Sequence, residues 1–148
     1  MQKLKKVIHE LVEMFEELNR VEEKKKEAIL KDRPVEVEEI MKQEQALTLR
    51  FKSCEKKVEE LLCQEGQTGK NLKEVLDSLG RDQREELLPD YEKLKEELSS
   101  YQEIRMTVNE LLNVKLYNIK RKLEEHGEIY SADGRYKERW DKGRVRRG

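Results

Sequence analysis

The sequence predicts an all-α protein: an antiparallel helical hairpin, a short helix and one long C-terminal helix forming an elongated coiled-coil-like bundle, followed by a flexible C-terminal tail. Three observations carry this prediction. Apolar residues recur three, four or seven positions apart over most of the chain, the spacing that keeps one face of a helix aligned. Charged residues make up 44% of the sequence and aromatic residues 5%, so broad solvated faces surround a thin seam of Leu, Ile, Val and Met. A mean hydropathy of -1.02 would suit a disordered chain, and the strong periodicity decides for helices instead. Finally, the pattern is cut by local breakers at Asp32-Arg33-Pro34, at Glu65–Gly69 and at Gly80. At 148 residues the chain has room for one domain. Its expected division is a bundle over 1–129 and a tail over 130–148.

The first helix is expected from near Gln2 to Lys31. Leu4, Ile8, Leu11, Phe15 and Leu18 alternate steps of four and three, as a coiled-coil seam does. The seam weakens at Glu22 and Lys25, where Val21, Ala28 and Ile29 carry a shifted stripe. Pro34 disfavours helical geometry at Arg33 and suits the first turn of a second helix, expected to reach about Gln64. That helix presents Val37, Ile40, Leu47, Phe51, Cys54, Val58 and Leu61, with Glu44 as the one polar intrusion, read as a side chain snorkelling at the bundle rim. The short turn between the two makes them antiparallel neighbours.

Gly66 is placed to end the second helix. A short helix from Asn71 to Leu79 follows, too short to stand without packing. The long helix then carries Leu87, Tyr91, Leu94, Leu98, Tyr101, Val108, Leu112, Ile119 and Leu123 on one face. From Arg81 it spans roughly 65 Å at 1.5 Å per residue, and it is expected to be the spine on which the other helices pack. Pro89 should kink or restart it, which puts the well-formed part at about Pro89–His126. Asn109, Asn113 and Asn118 are expected to fix helix register through satisfied polar contacts.

Sites for chemistry are absent from these patterns. His9-Glu10-Leu11-Val12-Glu13 lacks the second histidine that a helical zinc site needs four residues on. His126 has no glutamate three residues before it, which excludes a di-iron bundle motif. Gly69-Lys70 resembles part of a phosphate loop, but Gln64 occupies the first glycine position and Asn71 replaces the magnesium-binding Ser or Thr. No nucleophile has a base beside it in sequence. Cys54 and Cys63 are nine residues apart on one helix, roughly 13 Å along the axis and too far to bridge. The expectation is therefore no enzyme, no cofactor and no metal. A charged start and the lack of a long apolar run predict neither a secretory leader nor a membrane span, hence a reduced, cytoplasmic protein.

Residues 130–148 differ from the rest. They carry seven basic groups against three acids and hold Tyr130, Tyr136 and Trp140, three of the eight aromatic residues. An acidic body argues against the fold as a whole binding nucleic acid. Tyr, Trp and Arg dominate binding hot spots, so the tail is expected to dock on a protein partner, the alternatives being that its rings fold back on the bundle or that its basic groups touch nucleic acid or anionic lipid.

Two helices joined at a charged-residue-proline break, a short helix, a long Asn-studded helix and the terminal Tyr130-Ser131-Ala132-Asp133-Gly134 resemble the FlgN family of flagellar export chaperones. Asp32-Arg33 and the Asn109–Asn118 region are the other sharper points of likeness. The resemblance implies a non-enzymatic cytoplasmic chaperone that binds the C-terminal segments of the hook–filament junction proteins FlgK and FlgL. Such a chaperone prevents their premature assembly and presents them to the cytoplasmic domain of the type III export gate. By this likeness Leu112, Ile119, Leu123, Tyr136 and Trp140 carry substrate, and Tyr130 matches the family tyrosine linked to docking on the gate. Arg144-Val145-Arg146-Arg147-Gly148 departs from the family pattern. Two other readings are a self-associating coiled-coil adaptor, since exposed seams allow a homo-oligomer, and a sibling chaperone for the filament-cap protein.

Overall fold

The computed structural model describes residues 2–126 as four helices: α1 (Gln2–Leu30), α2 (Pro34–Gln64), α3 (Leu72–Ser78) and α4 (Arg81–His126). No strand occurs among the described residues. The expectations for Tyr130, Tyr136, Trp140 and the rest of 130–148 fall outside them. The chain divides into two compact units, 1–108 and 109–148.

In the first unit the core belongs to α1. It buries Leu4, Ile8, Leu11, Phe15 and Leu18, as the spacing predicts, and also Val7, Val12, Met14 and Val21 on either side of that stripe. The wide apolar arc meets two partners. Glu10 pairs with Lys57 and Lys25 with Glu44 across to α2. Lys5 pairs with Glu86 and Glu16 with Lys93 across to α4. Residue numbers descend along α2 and ascend along α4, so α2 is antiparallel to α1 and the first part of α4 is parallel to it. The long helix, expected to be the spine, is therefore not the organising element of this unit. That place goes to α1, because its extra apolar positions cover the faces of two neighbours.

Phe15 joins the three helices at one level. Its ring lies 5.7 Å from Phe51 at 68° and 5.7 Å from Tyr101 at 58°, edge-on and tilted geometries that suit the aromatic quadrupole. Register between α1 and α4 is set a turn further on. The Asn19 amide donates to the Glu97 backbone carbonyl at 3.1 Å and to its carboxylate at 3.0 Å. Asn109, Asn113 and Asn118, expected to do this, are instead exposed.

Local chemistry sets the ends of the helices. At the end of α1 the Arg33 N–H donates to the Ala28 carbonyl at 2.9 Å and the Asp32 N–H to Ile29 at 3.1 Å, with Asp32 at φ 53°. This is a Schellman closure on an aspartate, one of the few non-glycine residues that tolerate the left-handed region. The same closure recurs after α2, where Gly66 sits at φ 71° and Gln67 donates to Leu62 at 2.7 Å. Asn71 opens α3 with a capping box. Its carboxamide oxygen accepts from the Glu74 N–H at 2.8 Å, and the Glu74 carboxylate accepts from the Asn71 N–H at 3.0 Å. Leu72, Val75 and Leu76 then pack among Leu4, Ile8, Leu87 and Tyr91.

Pro89 neither breaks nor restarts α4, which begins at Arg81 and continues through it. Proline's fixed φ is compatible with the helix, and only one backbone hydrogen bond is lost, to the carbonyl of exposed Glu85. Burial of Leu87 and Leu94 on either side holds the helix together across that gap.

Candidate partner-binding face

The first unit contains a buried charged cluster, and its arrangement is structural. Glu22 of α1 is 2% exposed. The Lys25 ammonium donates to both Glu44 oxygens, at 3.0 and 3.3 Å. Burial, and next a hydrogen bond with the Glu44 carboxyl, push the Glu22 carboxyl up to about 8. From α4, Arg105 lies 5.9 Å from the centre of the Tyr101 ring, and its charge opposes the rise at Glu22 without cancelling it. Burial likewise raises the Tyr101 phenol. Glu44 is therefore no snorkelling rim residue but a half-buried partner to Lys25 and Glu22. Two carboxyls beside one ammonium cannot both ionise cheaply in a site this dry, so Glu22 keeps its proton at neutral pH. In sequence the cluster is visible only as a gap in the seam at Glu22 and Lys25; their steps of 22 and 19 residues to Glu44 become proximity once the hairpin closes.

Chemistry beyond this is sparse. Among the described residues no three His, Cys, Asp or Glu side chains are grouped to hold a metal ion. His9 lies 4.0 Å from Glu13 on an open surface. Cys54 is buried and Cys63 exposed, and both are free thiols. No described helix is long and apolar enough to cross a membrane.

In the second unit the described part is the helix over 109–126. Of the predicted binding residues, Leu112 is half-buried, and Ile119 and Leu123 are 54% and 57% exposed. Spacings of seven and four put all three on one face. Leu116, four residues after Leu112 and three before Ile119, shares that face and is exposed as well. It is absent from the seam predicted above, although its spacing is the signal that identifies it. Val114 and Tyr117 are also exposed, on other sides of the helix. Burying one large aliphatic side chain yields about 1.5–3 kcal/mol, so a stripe of four offers several kcal/mol to whatever covers it. It has no acid, base or nucleophile to act on what it binds. Its capacity is to hold an apolar surface.

A family model described as FlgN protein matches residues 1–138. Neither a curated protein nor a solved structure matches the chain.

Proposed function

The chain belongs to the FlgN family, flagellar export chaperones rather than enzymes, and from that premise we propose that it binds the C-terminal segments of the hook–filament junction proteins FlgK and FlgL in the cytoplasm. By this reading it prevents their premature assembly and delivers them to the cytoplasmic domain of the export gate. The observation that supports it is the stripe of Leu112, Leu116, Ile119 and Leu123, large apolar side chains left open or half-open on one helical face. A terminal segment that forms an amphipathic helix needs such a face until it assembles with its own neighbours. Tyr130, Tyr136 and Trp140 complete the proposed contacts within a tail over 130–148. Tyr130 serves the gate, while Tyr136 and Trp140 serve the substrate.

Titrating synthetic FlgK and FlgL C-terminal peptides into the full chain by calorimetry tests the reading. Saturable one-to-one binding is expected, weakened at least about tenfold by Ile119→Asp with Leu123→Asp, since each substitution opposes apolar burial. Deleting 130–148 should also remove binding while leaving helicity intact. Binding unaffected by both changes refutes the placement of the site, and no binding by the unaltered chain refutes the substrate assignment.

A further inference from the structure

The exposed stripe of the second unit has a cover available in the chain itself, an inference that rests on the docking reading above. The unit that carries Leu112, Leu116, Ile119 and Leu123 runs from Asn109 to Gly148. Outside α4 its large apolar side chains are Ile129, Tyr130, Tyr136, Trp140 and Val145, all within residues 127–148. These lie outside the described residues, and three properties of their sequence fit them to the stripe.

The first is reach. Leu112 to Leu123 spans about 16 Å of helix at 1.5 Å per residue. Gly127 directly follows His126, the last residue of α4, and glycine is the residue that most readily reverses a chain at a helix end. Residues 127–134 have the length of a connection between antiparallel helices. A helical return from Arg135 would match the length of the stripe in about eleven residues, before the chain reaches Gly148.

The second is spacing. Tyr136 and Trp140 are four residues apart, about 6 Å along a helix and on one face. Leu112 and Leu116 form a pair with the same separation, as do Ile119 and Leu123. Two rings can thus meet an aliphatic pair of equal pitch, and each brings roughly 150–250 Å² to bury. The third is tethering. A short linker holds a segment at millimolar effective concentration, about a thousandfold above a second copy of the chain at micromolar concentration. A second copy therefore competes poorly for the same face.

We propose that in the unloaded chain Tyr136 and Trp140 lie on the Leu112–Leu123 stripe, and that a docking helix must displace them. Two rings leave part of a four-residue stripe uncovered, so a helix with a full Leu/Ile seam gains more from the face than the tail does. The apparent affinity of that helix is lowered in proportion to the fraction of chains whose stripe is open. Once displaced, the same rings can close on the substrate helix. Until then the cover keeps an apolar surface from joining copies of the chain.

Trp140 is the only tryptophan in the sequence, so its fluorescence reports on the tail alone. Acrylamide quenching of the full chain, with no substrate added, is compared with that of a synthetic peptide of residues 127–148. Quenching at least about threefold weaker in the full chain is expected, because a ring packed on the stripe is shielded from the quencher. Ile119→Gln with Leu123→Gln should return it to the peptide's value. Glutamine is neutral and helix-forming, so the change removes apolar surface without adding a charge that attracts the basic tail. If the double substitution lowers helicity, Leu116→Gln alone must still raise the quenching.

Quenching equal to the peptide's overturns the proposal, as does protection that the glutamines leave unchanged. Protection abolished by about 0.5 M salt belongs to charge attraction and also overturns it. Protection that grows with protein concentration assigns the cover to a second copy and overturns the tethered placement. No substrate enters this measurement, so its failure leaves the junction-protein reading standing. Failure of the junction-protein titration removes that reading, while the free-chain comparison still decides the tail contact.

Discussion

Replacing Glu22 with Gln should make the protein more stable, increasingly so as pH rises. Glu22 is 2% exposed and its Oε2 has no hydrogen-bond partner. In the unfolded chain its carboxyl titrates near 4.5, and in the fold near 8. Between those values the unfolded state has released a proton that the folded state retains, so this group lowers stability progressively as pH rises from about 4.5 to about 8. Below that window it costs nothing, and above it the cost is complete. Each pH unit within the window is worth at most about 1.4 kcal/mol, which puts the cost on the order of 3 kcal/mol at pH 7. Gln keeps the shape and can donate to Glu44 but does not ionise. Urea denaturation followed by far-UV circular dichroism, at steps from pH 5 to pH 9, measures the difference between the two proteins. The difference should be near zero at the acid end and reach about 2–3 kcal/mol in favour of the Glu22→Gln chain by neutrality. A difference that does not change with pH would refute the claim that Glu22 holds its proton. A difference that favours Glu increasingly as pH rises would reverse the sign of the argument.

Three further outcomes are expected. Phe15→Ala removes the ring that touches both Phe51 and Tyr101, and it should cost about 3–5 kcal/mol in the same denaturation assay. Asn71→Ala dissolves the capping box of α3 and should cost about 0.5–2 kcal/mol, with hydrogen exchange accelerating in α3 before it does in α1. Ile119→Asp lies on an exposed position, so the stability measured by denaturation should change by no more than about 0.5 kcal/mol while binding of the junction-protein peptides falls.

The charged cluster and the exposed stripe put opposite demands on polar and apolar residues. In the first unit, Glu22 and Lys25 stand where a continuous seam would have apolar residues. The cluster brings charged or hydrogen-bonding groups from three helices to a single level. Such groups contribute little net stability when buried. In the second unit Leu116, Ile119 and Leu123 face solvent, where apolar chains gain nothing from the fold. Substitution at these positions leaves the packed core of the first unit untouched.

Helix positions and ends follow from the sequence alone, since they depend on neighbours within a turn or two. The Asp32-Arg33-Pro34 break, the Gly66 closure and the Asn71 start all sit within one or two residues of where local chemistry puts them. The all-α class follows for the same reason, because a 3.6-residue apolar period suits no other element. Leu112, Ile119 and Leu123 are identifiable as one face by spacing, but spacing cannot distinguish a covered face from an open one. Tertiary structure decided that α1 carries the core, that Asn19 rather than the asparagines of α4 holds the register, and that Pro89 lies within a continuous helix. It also decided that Glu44 shares a buried site with Glu22 and Lys25. Each of these depends on which faces of distant segments meet, and burial and proton affinity are properties of that meeting rather than of any one stretch of chain.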